Sequence, residues 1–312
     1  MNMQKCGIIG CGFVGATTAF TIVEKGLFSE LVLIDLDEEK AQGEAMDLSH
    51  GLPFSQPMKI YAGSYEDLRD CGIIIITAGA NQQEGQTRID LVKQNTKILQ
   101  SIISQITPYN KEAILLILSN PVDVLTYAAL RFSGFPKNRV IGSGTVLDTA
   151  RLKYLLGEHL KVDIRNVHAF IIGEHGDSEL AVWSSANISG IDLEGFCSIC
   201  AHCEGMQSMK SLYDEVQQSA YEIIKRKGAT YYGIAMAVSR IVEAILRDEH
   251  SVLPVSSYVE DHYGVSGICI GVPCIVGRNG VERILDIPLN EEEQQRFSES
   301  AQMLKEVIRQ SL

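Results

Sequence analysis

The sequence predicts an α/β fold: a doubly wound parallel sheet, followed by an α+β region. Two observations carry this expectation. Short runs that are apolar throughout stand at residues 6–9, 31–35, 73–77 and 114–118, with helix-compatible stretches between several of them. Runs without polar alternation suit strands buried on both faces, and strands spaced by helices suit parallel pairing through right-handed crossovers. After about residue 145 the texture changes, which divides the chain into a first domain at 1–144 and a second at 145–312 with no linker between them.

In the second half "TARLKYLLGEHL" reads as a helix and "VHAFIIG" as a strand. A stretch from Gly205 to Lys227 reads as one long helix, which Gly228 breaks before "ATYYGIAMAVSRIVEAIL" restarts one. "SVLPVSSYV" and "GICIGVPCIVG" read as strands, the second interrupted by Pro273. The last helix opens with Asn290 and Glu293 in capping-box spacing, and Phe297, Ala301, Leu304 and Ile308 give it one apolar stripe. No repeat of solenoid period is present.

At 312 residues the chain can form one large domain or two ordinary ones. An apolar fraction of 46% and a charged fraction of 21% exclude a disordered or low-complexity chain. The net charge of -12 argues against a nucleic-acid binder, which needs clustered Lys and Arg, but leaves room for a local basic pocket. No apolar run is long enough to span a bilayer, and "MNMQKCGIIG" lacks the form of a signal peptide. The eight cysteines are therefore expected to be reduced thiols in a cytoplasmic protein. "CSICAHC" spaces Cys197, Cys200 and Cys203 three apart with His202 among them, but no second ligand pair accompanies them, so no metal site is expected.

The stretch "GIIGCGFVGATTAF" places Gly10, Gly12 and Gly15 between an apolar run and a helical stretch. In such a strand–turn–helix the first glycine permits the tight turn. The second lets a pyrophosphate approach the backbone, and the third lets helix and strand pack closely. The helix N-terminus adds free N–H groups and a positive dipole end. Asp35, in "LVLIDLD", follows Gly15 by 20 residues, the spacing of an acid that accepts hydrogen bonds from ribose hydroxyls and repels a 2′-phosphate. Together these predict a Rossmann-type first domain that binds NAD rather than NADP.

Four further stretches, "TAGANQQEGQTRIDLVKQN", "LSNPVDVLTY", "GSGTVLDTARLKYLL" and "IIGEHGDSELAVWS", together with "KGATYYGIAMAVSRI", resemble the L-lactate dehydrogenase family. The resemblance runs through essentially the whole chain in the same order. It implies reversible reduction of pyruvate by NADH, in which hydride goes to the carbonyl carbon and a proton to its oxygen. By the match to "GEHGD", His175 is the acid/base, a role that suits a group titrating near working pH. Asp148, in "LDTAR", matches the carboxylate that orients this histidine, although alone it reads as a helix cap. Arg151, one helical turn on, matches the arginine that grips the substrate carboxylate bidentately. Arg88 matches an arginine that polarises the carbonyl once a lid closes, with Gly79 and Gly85 giving the lid room to move. Asn120, before Pro121, matches an amide that bonds the substrate oxygen.

Malate enzymes share this plan but place an arginine in the lid, where this sequence has the uncharged Gln82 between Asn81 and Gln83. A second carboxylate would there lack a counter-ion, so pyruvate is favoured over oxaloacetate. The resemblance puts Thr230 at the pocket as a limit on side-chain volume, and Ile234 against the nicotinamide. It puts Val14, Lys40, Tyr65, Gly79, Ala80, Ser101, Leu118, Asn120 and Ser143 along the cofactor groove. Bacterial members often bind fructose 1,6-bisphosphate at a subunit interface. The matching positions are Lys153 and His168, where lysine replaces the usual arginine and loses its bidentate geometry. The family is typically tetrameric, so a homotetramer is expected.

Overall fold

The computed structural model describes all residues except 81–86, 201 and 203–205, and the side chains of Arg88 and residues 206–208 are also left aside. The first half alternates β1 (Asn2–Ile9), α1 (Phe13–Glu24), β2 (Glu30–Ile34), α2 (Glu38–Gly51), β3 (Lys59–Ala62), β4 (Cys71–Ile76), α3 (Arg88–Ile106), β5 (Ile114–Ile117), α4 (Val122–Ser133) and β6 (Val140–Gly142). After α5 (Val146–Leu160) come five two-residue strands: β7 (Val167–His168), β8 (Ile171–Ile172), β9 (Leu180–Ala181), β10 (Asn187–Ile188) and β11 (Ile191–Asp192). Then follow α6 (Leu193–Ile199), α7 (Met206–Lys227), α8 (Tyr232–Leu246), β12 (Ser251–Val259), β13 (Ile268–Gly277), β14 (Gly280–Ile284) and α9 (Glu291–Ser311).

Six of these strands form the expected parallel sheet, in the order β6-β5-β4-β1-β2-β3. The chain leaves β1 toward β2 and β3 on one side, then returns to β4, β5 and β6 on the other. The crevice at this reversal, beyond the carboxyl ends of β1 and β4, is where open α/β sheets bind ligands. The four isoleucines of β4, Ile73 to Ile76, have no exposed surface. Fully burying such a side chain is worth roughly 1.5–3 kcal/mol gross, so this strand anchors both layers of the core.

The apolar run at 6–9 lies inside β1, those at 31–35 and 73–77 each extend one residue past the ends of β2 and β4, and that at 114–118 covers β5, while β3 and β6 do not show as runs. β3 is only partly buried along its length, and β6 is three residues long. "VHAFIIG" splits into β7 and β8, which belong to different sheets. β13 runs unbroken through Pro273, which faces Pro254 of β12. The carbonyls of both prolines point away from the shared ladder, Pro254 O to Thr145 N and Pro273 O to Leu285 N. The pair thus occupies a register position that needs no N–H from either residue.

The sheet does not end at residue 144. β12 pairs with β6 through Ser256 and Gly142, and β13 and β14 extend the sheet antiparallel. α8 also packs on α1, placing Val238, Ile241 and Ile245 in one core with Ala19, Ile22 and Val23. The capping box of α9 forms as expected: Asn290 accepts from Glu293 N, and Glu293 accepts from Asn290 N. Cys6, Cys11, Cys71, Cys200, Cys269 and Cys274 are free thiols, whereas Cys197 is disulfide-bonded, against the expectation of reduced thiols throughout. A residue count carries no information on which thiols a short helix such as α6 brings into reach. Cys203 lies outside the described residues.

Candidate active site

The carboxyl ends of the parallel strands collect most of the residues matched to the cofactor. After β1 the backbone turns at Gly10, whose φ of +104 disfavours any side chain. A Cβ on Gly15 would stand 1.8 Å from the Gly10 carbonyl oxygen, so only glycine lets α1 start this close to the strand. At Gly12 a Cβ would meet nothing within 4 Å, which leaves the backbone open to a phosphate. Thr77, at the end of β4, donates from its hydroxyl to Gly10 O at 2.7 Å and ties the turn to the next strand. Asp35 follows β2 half-buried and accepts from Cys11 N at 2.5 Å and Asp37 N at 3.0 Å. Burial, with help from the Asp35 charge, raises the Tyr65 phenol, so these two matched residues share one environment.

Gly79 and Ala80 follow β4, Leu118 and Asn120 follow β5, and Ser143 follows β6. Asn95 of α3 ties two of these edges together. Its amide accepts from Ala80 N at 2.8 Å and donates to Ala80 O at 3.2 Å and Asn120 O at 2.8 Å. Sequence reasoning missed Asn95, whose only signal is that it is buried. Val14 lies half-buried in α1 and Lys40 exposed in the first turn of α2. Ser101 stands exposed on α3, 13 residues beyond Arg88. That is about 20 Å along the helix axis, away from the strand ends.

The catalytic candidates meet in a cavity of about 480 Å³ lined by Asn120, Asp148, Arg151 and His175, a volume suited to a small ligand. His175 Nδ1 lies 2.6 Å from Asp148 Oδ2, and Arg151 donates to Asp148 Oδ1 at 2.9 Å. The Asp148 side chain is 4% exposed, those of Arg151 and His175 15% and 26%. Burial alone would push the Asp148 carboxyl up, but the charges of His175 and Arg151 hold it below its ordinary range. The Asp148 charge in turn lifts His175 to about 9, against the opposing effect of burial. With Nδ1 committed to Asp148, Nε2 is the nitrogen left to exchange a proton.

The loop that carries His175 is pinned at three points. Gly173 and Gly271 of β13 exchange backbone hydrogen bonds at 2.9 and 3.0 Å. Glu174 N donates to Ser300 Oγ at 2.9 Å, and His175 N to Asp123 Oδ2 at 2.8 Å. Asp123 is fully buried at the start of α4, and burial pushes its carboxyl up to about 6. Neither Asp123 nor Glu179, a buried acid on the cavity wall, was singled out from sequence. "GEHGDSE" does place Glu179 four residues beyond His175.

α7 supplies the opposite wall with Val216, Ala220 and Ile224. Thr230, at the break between α7 and α8, and Ile234, in the first turn of α8, are not part of this lining. Arg88 is the first residue of α3, rather than part of the preceding loop, and its side chain is outside the described residues, as are Asn81, Gln82, Gln83 and Gly85. Lys153 lies half-buried on α5, where burial lowers its pKa. His168 is exposed on β7, which packs against α5.

Residues 4–142 match the lactate/malate dehydrogenase NAD-binding domain, and residues 145–312 the α/β C-terminal domain of the same family. The L-lactate dehydrogenase of Acetivibrio thermocellus is 57% identical over 307 residues, 98% of this chain and 97% of that protein. L-lactate dehydrogenase 1 of Clostridium acetobutylicum is 52% identical over 305 residues, 97% of each. The crystal structure of MGS-M5, a lactate dehydrogenase from a Medee basin deep-sea metagenome library, superposes with a TM-score of 0.97. It is 44% identical and covers 100% of this chain and 99% of that one. The glycine turn, the open backbone at Gly12 and the acid after β2 fit the cofactor these matches indicate, which is NAD.

Proposed function

Because the chain belongs to the lactate/malate dehydrogenase family, we propose that it is an NAD-dependent L-lactate dehydrogenase interconverting pyruvate and L-lactate, with His175 as its acid/base. The observation that carries this reading is the buried series Arg151–Asp148–His175 inside one cavity. When bound, NAD supplies or takes the hydride. The chain's own residues do the rest. Arg151 holds the substrate carboxylate, Asn120 bonds the reacting oxygen, and Nε2 of His175 gives that oxygen its proton on reduction and takes it back on oxidation. Asp148 fixes the ring tautomer and stabilises the imidazolium. Arg88, at the start of α3, and Gln82, outside the described residues, are the remaining residues this reading assigns to the substrate.

The apolar wall of Val216, Ala220 and Ile224 favours the methyl of pyruvate over the second carboxylate of oxaloacetate. Steady-state rates of NADH oxidation test this. Pyruvate should be strongly preferred, and Gln82→Arg should shift preference toward oxaloacetate by 100-fold or more, on the order of 3 kcal/mol. A wild type that prefers oxaloacetate would overturn the assignment.

The same reading has a cofactor half at 1–144 and a substrate half at 145–312. It has a cytoplasmic homotetramer activated by fructose 1,6-bisphosphate at Lys153 and His168. Large exposed apolar side chains on α1 and α8, which pack together, support self-association: Phe13 and Phe20 are 70% and 60% exposed, Tyr232 and Met236 63% each. Among the described residues no helix is long and apolar enough to cross a membrane.

A further inference from the structure

Glu179 takes no part in the chemistry set out above, yet its carboxyl belongs to the same cluster. One carboxylate oxygen each of Asp148 and Glu179 and a ring nitrogen of His175 all lie within 4.8 Å of one another. Glu179 is 4% exposed and lines the cavity. Its main chain is held in place, with N–H donating to Gly176 O at 3.2 Å and the carbonyl accepting from Tyr213 Oη at 2.5 Å. The next two residues are the buried strand β9. An acid so fixed, facing an imidazole that must gain and lose a proton in every turnover, cannot ionise independently of it.

We propose that Glu179 and His175 titrate as one pair, and that Glu179 sets the upper pH at which His175 still carries the proton needed for pyruvate reduction. The proposal rests on His175 being the acid/base.

Burial is the main cause that lifts Glu179, to about 8, with the Asp148 and Asp177 charges adding and those of His175 and Arg151 opposing. His175 is raised chiefly by Asp148, and ionised Asp123 and Glu179 add to the effect. The groups facing the pair are Asp148 and Arg151 of α5, Glu174 and Asp177 of the histidine loop, and Asp123 of α4. Tyr213 of α7 and Arg296 of α9 complete the set. The sign follows. While Glu179 is protonated, which burial favours, it does not repel a substrate carboxylate at Arg151. Once Glu179 ionises, its charge helps hold the proton on His175 to higher pH.

The test is Glu179→Gln, a neutral isostere, followed through pH profiles of kcat/KM for pyruvate with NADH and for L-lactate with NAD. The alkaline limb of reduction should move toward acid by about 0.5–1 pH unit, so that kcat/KM at pH 9 falls about two- to fivefold while the value at pH 6 stays within about twofold. The acid limb of lactate oxidation should move in the same direction by the same amount. Affinity of the NADH complex for oxamate, an unreactive pyruvate isostere, reads the same shift at equilibrium. Glu179→Ser should reproduce it and guards against a packing fault peculiar to glutamine. Limbs that superimpose on the wild type, or a uniform loss of rate with unmoved midpoints, would overturn the proposal. If His175→Asn also keeps its turnover, the acid/base reading has failed. If that variant is inactive while the limbs stay put, only the role of Glu179 has failed.

Discussion

The two sides of the cleft are built on different principles. The cofactor side is backbone geometry: a glycine turn with positive φ at Gly10, a Cβ-free contact at Gly15, and a series of strand ends that present main-chain groups. Its one matched acid, Asp35, is half-buried and hydrogen-bonded to its own loop. The substrate side is made of buried ionisable groups. Asp123, Asp148 and Glu179 surround one imidazole, and Arg151 is the cation that balances Asp148. Backbone cradles bind; coupled buried charges move protons. Damage to one side should therefore leave the other side's measurable property intact.

The largest separation should come from Asp148→Asn. The amide can present the wrong partner to Nδ1, and it removes the main cause of the raised His175 pKa. We expect kcat to fall roughly 10³- to 10⁴-fold. We also expect the alkaline limb of pyruvate reduction to move from about 9 back toward the ordinary histidine value, with NADH affinity unchanged. Arg151→Lys keeps the charge but loses the fork, and should raise KM for pyruvate about 100-fold, again without changing NADH binding. Gly15→Ala acts on the other side. Its methyl would force the turn apart, costing about 1–3 kcal/mol in thermal or denaturant unfolding. NADH affinity should fall with it, while the pH profile of whatever activity remains keeps its midpoints.

This contrast also explains what could be read from the sequence alone. β1, β2, β4 and β5 announce themselves because strands buried on both faces need unbroken apolar runs. β3 and β6 do not, one being only partly buried and the other three residues long. Pro273 misled because the penalty for a strand proline depends on register, and its partner Pro254 sits far away in the chain. On the cofactor side the glycine motif is local, so spacing reveals it. On the substrate side His175, Asp148, Arg151 and Asn120 were found through their motifs and do line one cavity. Asp123 was not found because its partner, His175 N, lies 52 residues away in the chain; Glu179 stands only four residues beyond His175, but the burial that makes it matter leaves no local pattern.

Steady-state NADH oxidation by His175→Asn, with NADH binding followed in parallel by fluorescence, tests the central claim most directly. The account predicts that pyruvate turnover falls at least about 1,000-fold while NADH binds as in the wild type. Turnover within tenfold of the wild type would contradict it.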